Sequence, residues 1–257
     1  MNPRKCMTSS LPVTHLEEHQ AVAKLVRLAT IAGLLLGVAV AQPSRAQTSP
    51  NIGEQLAKTY GLDGFGQIDA IRFTFNAKVL GNNVSRSWVW RPKTGQISYE
   101  GKDKDGKPVK ATYVESQLDA APANVKDQIE PAFANDKYNM IFPLQAYWDG
   151  APFNDKGMQK LPIGEGSARL VEVSYSPGDV WDLYVGANNR VEAFVFHRGD
   201  SGLKPSIAIA TWGAYKKAGP LLIATDRRGT ADGKPLRVWF TNLAVKLTGA
   251  DAWLPAR

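Results

Sequence analysis

The sequence predicts an α+β protein that is mainly antiparallel β: a large curved sheet or incomplete barrel of about ten strands, with a short leading helix and a helical insertion. Three observations carry this. Apolar and polar residues alternate with a period of two in run after run. Pairs of Gly, Asn and Asp punctuate those runs at short spacing. Beyond a short stretch at 52–60, only 122–148 places apolar residues at helical spacing.

In chain order, Ile52, Leu56 and Tyr60 form an amphipathic stretch that ends in a turn at Gly61, Gly64 and Gly66, which predicts the leading helix within 47–67. From Ile68 the period changes. Ile71, Phe73, Phe75, Ala77 and Val79 alternate with Arg72, Thr74, Asn76 and Lys78, as in a half-buried strand. Trp88 and Trp90 share one face of the next strand. Strands at 96–101 and 109–114 follow, turned at Asp105 and Gly106. In 122–148, Val125, Ile129 and Phe133, then Ile141, Leu144, Ala146 and Trp148, surround Pro131 and Pro143 and predict one or two short helices. Residues 149–167, rich in Gly, Lys and Pro, are expected to be a loop. Strands resume at 169–175, 180–185, 191–198, 206–212, 221–228 and 236–247, with hairpin turns at Asn188-Asn189 and Asp232-Gly233. No repeat or linker divides 47–257, so one domain is expected there.

The first 46 residues carry a different signal. Lys24 and Arg27 precede the apolar run 28–41, and Pro43, Ser44 and Ala46 follow it. This is the pattern of a secretory signal peptide cleaved between Ala46 and Gln47. The run falls short of the ~20 residues a bilayer span needs, so a mature chain with no transmembrane segment, periplasmic or secreted, is expected. The segment before Lys24 is long for such a signal and is assigned no role. Cys6 is the sole cysteine and precedes the cleavage site, which excludes thiol, disulfide and lipid-anchored-cysteine chemistry in the mature form.

Export also changes the charge. Of the 31 basic and 24 acidic residues, Arg4, Lys5, Lys24, Arg27 and Arg45, with Glu17 and Glu18, lie before Gln47; 26 against 22 remain, a net charge of +4. The basic residues are dispersed along strands and turns, so nucleic acid is not an expected partner.

Catalytic motifs are weak. Gly199-Asp200-Ser201-Gly202 matches the nucleophile motif of trypsin-like proteases, but such a serine needs a separate histidine base. His15 and His19 leave with the signal, and His197 sits in the same turn, so the motif reads as a turn between strands. Asp103, Asp105 and Gly106 resemble the start of a calcium loop, yet the twelfth position is Val114. One mature histidine and no cysteine disfavour zinc. No phosphate-binding or dinucleotide motif occurs, and no cofactor is expected. Asp179, Asp182 and Glu192 on neighbouring strands leave a carboxylate hydrolase as an alternative.

The aromatic pairs Phe73 and Phe75, Trp88 and Trp90, and Phe194 and Phe196 put large flat groups on single strand faces. They form either a packed core or the wall of an apolar cavity under the helical insertion. The candidate ligand-binding residues are Phe73, Phe75, Trp88, Trp90, Phe142 and Trp148.

The segments "RFTFNAKVLGNNVSRSWVWRPKTGQISY" (72–99), "NDKYNMIFPLQAYWD" (135–149), "SPGDVWDLYVGANNRVEAFVFHRGD" (176–200) and "ATWGAYKKAGPLLIATDRRG" (210–229) resemble a family of uncharacterised bacterial secreted proteins. More distantly, the order of elements is similar to that of the periplasmic carriers that sort outer-membrane lipoproteins. That resemblance implies a half-barrel closed by helices and a lipid or acylated protein as partner; no individual residue role carries over. The leading expectation is thus a non-enzymatic exported protein binding an apolar ligand in a curved sheet, with an envelope protein-interaction module without a ligand cavity as a further alternative.

Overall fold

The computed structural model describes residues 51–103, 105–175, 178–199 and 205–257. The expected signal peptide, its cleavage site and Ser201 lie outside the described residues.

Helix α1 (Ile52–Thr59) starts where Asn51 accepts a hydrogen bond from the Glu54 amide at 2.8 Å. It ends at Gly61, whose φ of +111° suits glycine and where a Cβ would stand 2.6 Å from the Pro220 carbonyl oxygen. A short 3-10 turn, Leu62–Gln67, leads into β1 (Ile68–Val79). Next come β2 (Asn82–Arg91), β3 (Gln96–Lys102) and β4 (Pro108–Val114), the expected meander. Asp103 closes the β3–β4 turn by accepting from the Asp105 and Lys107 amides, both at 2.9 Å, which is turn chemistry.

The insertion is a π-helical turn, Val125–Ile129, running directly into the long helix α2 (Glu130–Trp148). Pro131 falls in its first turn, where the fixed φ of proline suits the helix. Pro143 falls in its interior and has no N–H for the carbonyl of Asn139; the backbone leaves helical geometry at Ile141, with φ −117° and ψ 30°.

Residues expected to be loop form β5 (Phe153–Lys160), an exposed edge strand. Then follow β6 (Ser167–Tyr175), β7 (Asp179–Val185), β8 (Val191–His197), β9 (Ile207–Thr211), β10 (Gly213–Ala218), β11 (Leu221–Ala231), β12 (Lys234–Leu247) and β13 (Leu254–Pro255). Among the described residues these make one open, curved antiparallel sheet of 13 strands in the order β4-β3-β2-β1-β12-β11-β9-β8-β7-β6-β5, with β10 on β11 and β13 on β12.

Register aligns the buried side chains in rows. Phe73 faces Trp88 and Trp88 faces Tyr99; Trp181 faces both Val173 and Phe196. The two groups of strands meet at a narrow waist. Because β10 occupies the first half of the β11 edge, β9 pairs with β11 over only three residues, Gly229 to Ala231. A Cβ at Gly229 would lie 1.9 Å from the Ile209 carbonyl oxygen, so the waist requires glycine there.

Candidate functional site

Helix α2 crosses the concave face and meets two aromatic clusters. On the first, Phe133 packs on Trp88 and Trp90, with ring centroids 5.3 and 6.0 Å away, and Trp88 packs on Tyr99 at 4.7 Å. Asp136 of α2 is fully buried there. It accepts from Arg86 Nε and Nη2 at 2.7 and 2.6 Å, Trp88 Nε1 at 2.9 Å and Asn135 Nδ2 at 3.0 Å. Burial pushes its carboxyl above the ordinary range while these donors oppose the shift. Phe133 covers both indoles, and the three bonds from Arg86 and Trp88 latch the helix to β2.

The second cluster is centred on Trp181, whose ring lies 4.6 Å from Phe142, 5.1 Å from Phe194 and 4.7 Å from Phe196. Between it and β1 the helix leaves a cavity of about 460 Å³. Trp181, Phe194, Phe196 and Ala208 line one side, and Phe75, Val84, Leu236 and Val238 the other; Tyr138 and Asn139 come from the helix. Asn135, Asp179 and Arg198 add polar groups to the wall. Burial raises the pKa of the Tyr138 hydroxyl, so it stays a neutral donor.

Of the six residues singled out by sequence, Phe75 lines this cavity. Phe73 is buried against Phe240 at 6.2 Å. Trp88 and Trp90 belong to the filled cluster. Phe142 joins the Trp181 cluster and also packs 6.0 Å from Trp212. Trp148, 40% exposed, stands at the end of α2 against Phe65 at 4.6 Å. Phe194 and Phe196, the third aromatic pair of the sequence though not among those six, line it as well, with Trp181 of β7, which the sequence reading did not name; what alternation along a strand does not carry is how much space the helix leaves above it.

Beside the cavity lies a buried cation. Arg227 is 1% exposed and sits opposite Val238 in the β11–β12 register. Its guanidinium stacks on Trp212, 3.5 Å from the ring centroid. Nη2 donates to the Asn139 carbonyl that Pro143 leaves unpaired, and Nη1 to Asn139 Oδ1 at 3.2 Å. Burial lowers its pKa to about 9, so it is charged at neutral pH. Among the described residues no carboxylate pairs with it, and its Nε has no hydrogen-bond partner.

The three carboxylates of the hydrolase alternative are separately engaged. Asp179 accepts from the Gly199 amide at 2.8 Å, Asp182 pairs with His197 at 3.2 Å, and Glu192 lies over Gly186. Among the described residues no group of three or more His, Cys, Asp or Glu is placed to hold a metal ion, and no helix is long and apolar enough to cross a membrane.

No protein-family model and no curated protein matches the chain. Among solved structures it is similar to a DUF1329 family protein from Desulfovibrio piger, with 11% identity and a TM-score of 0.42, over 78% of this chain and 94% of that one. A likeness at that level says nothing of ligand or activity.

Proposed function

We propose that this protein is a non-enzymatic exported binder of an apolar ligand, a lipid or acyl chain held in the cavity between α2 and the concave face. The observation that carries the reading is the cavity itself. Its volume of about 460 Å³ falls among small-molecule sites of roughly 300–1,000 Å³, and its walls are mostly aromatic and aliphatic. Two sequence features support it: the signal-like segment 24–46, and an order of elements that distantly resembles that of the lipoprotein-sorting carriers.

The test uses an environment-sensitive acyl probe, with native mass spectrometry of protein purified from its own host. The probe is expected to bind, to be displaced by lipid and to change tryptophan emission through Trp181. Ala208→Phe fills the cavity from its wall at an overpacking cost of about 1–3 kcal/mol and is expected to abolish probe binding in a folded protein. Probe binding unaffected by Ala208→Phe, or absent from the unaltered chain, would overturn the reading.

A further inference from the structure

Arg227 is an expensive residue to bury. A guanidinium removed from water costs several kcal/mol unless an anion and hydrogen bonds offset it. Here the partners are neutral: the backbone and side-chain oxygens of Asn139, and the Trp212 and Phe240 rings at 3.5 and 5.9 Å. Capping the carbonyl freed by Pro143 explains Nη2 alone. It leaves the positive charge uncompensated among the described residues and leaves Nε unpaired. The Trp212 ring on which the guanidinium stacks carries a second buried donor without a partner, Nε1. The site therefore holds one net positive charge and spare donors, all within the interior.

It also adjoins the cavity. Asn139 both lines the cavity and accepts from Arg227; Val238, the cross-strand partner of Arg227, lines it too. The bond from Nη1 to Asn139 Oδ1 is long at 3.2 Å, whereas a carboxylate would make a shorter, charge-assisted one. Asn139 Nδ2 is held by the Asn135 carbonyl at 2.9 Å, so the side chain has an anchor on α2 when its oxygen yields.

We propose that the ligand is a long-chain carboxylic acid that enters head first, its carboxylate displacing Asn139 Oδ1 and resting on Arg227. This rests on the cavity reading above and adds the ligand's charge and direction. One negative charge matches the uncompensated guanidinium, and a carboxylate oxygen takes over Nη1, the donor that Asn139 Oδ1 releases.

The experiment compares a saturated long-chain fatty acid with its methyl ester on the full mature chain. The acid is expected to bind about tenfold or more tightly. Arg227→Met is expected to remove that preference and keep ester binding. If neither compound binds, the cavity reading falls and this proposal with it. If the ester binds as well as the acid, or Arg227→Met keeps the preference, the cavity reading stands and the head-first carboxylate is overturned. Should Arg227→Met fail to fold, carbon-13 NMR of the carboxyl-labelled acid on the unaltered chain decides. A carboxylate on Arg227 stays ionised as the pH falls, whereas one left in solvent titrates in the usual carboxyl range of about 4–5 and overturns the proposal.

Discussion

The cluster around Trp88 and the cluster around Trp181 lie on the same concave surface, under the same helix, and are built from the same kinds of residue. One is filled by Phe133 and fastened by Asp136; the other ends in a cavity. The difference comes from what α2 sends down to each. Toward β2 it offers a large ring and a fully bonded carboxylate. Near the Trp181 cluster it breaks at Ile141 ahead of Pro143, and the freed carbonyl is taken by a sheet arginine.

Truncation is the hardest way to strain this contrast. Trp88→Ala is expected to cost about 3–5 kcal/mol, because it empties a packed site and deprives the buried Asp136 carboxylate of its indole donor. Trp181→Ala, beside existing space, is expected to cost about 2 kcal/mol less. Urea denaturation of the two variants measures both, and equal losses would mean the two clusters are packed alike. Gly229→Ala tests whether the strand groups act together. Its Cβ meets the Ile209 carbonyl, and an expected loss of about 2–3 kcal/mol should appear first as faster hydrogen exchange at 208–210. A variant as stable as the original would show that the waist gives way freely.

The smallest effect is expected on the opposite face, where solvent reaches. Against the upward push of burial, Arg237 and Arg228 hold Asp226 below 3.8. A carboxylate with a depressed folded pKa stabilises above its unfolded value, and that contribution is lost as the pH falls through the folded one. Asp226→Asn is expected to cost about 1 kcal/mol at neutral pH, the gap to the unaltered protein closing only below pH 3.8. A gap that closes at higher pH would place the carboxylate in an ordinary environment.

The strands that pack one face were legible as alternation, and so were the turns at Asp105-Gly106, Asn188-Asn189 and Asp232-Gly233. β5 was not, because both its sides are exposed: Asn154, Asp155, Lys156 and Gln159 give no apolar phase to detect. Around the two prolines the sequence left one or two short helices open; α2 continues past Pro143, and the carbonyl freed there is capped by Arg227, 88 residues away. Arg227 itself hides between Asp226 and Arg228 in what reads as a charged surface run. Only its phase, two residues from Thr225 and Gly229, sets it apart. The aromatic faces could be read, but cavity volume depends on the height at which a helix is held, and no local pattern encodes that.

The pairing of β1 with β12 joins residues 68–79 to 236–247, almost the full length of the described chain. Every residue between must be made before the central strand gains its second neighbour, and closing so long a loop carries an entropic cost that grows with its length. Such topologies fold in milliseconds to seconds, far more slowly than helical bundles. Until β12 arrives, the meander β1 to β4 is a small sheet with a bare, strongly apolar edge. A chain delayed at that stage has a ready site for pairing with its own copies. The interval between completing β4 and completing β12 therefore sets how long this protein needs protection while it is being made.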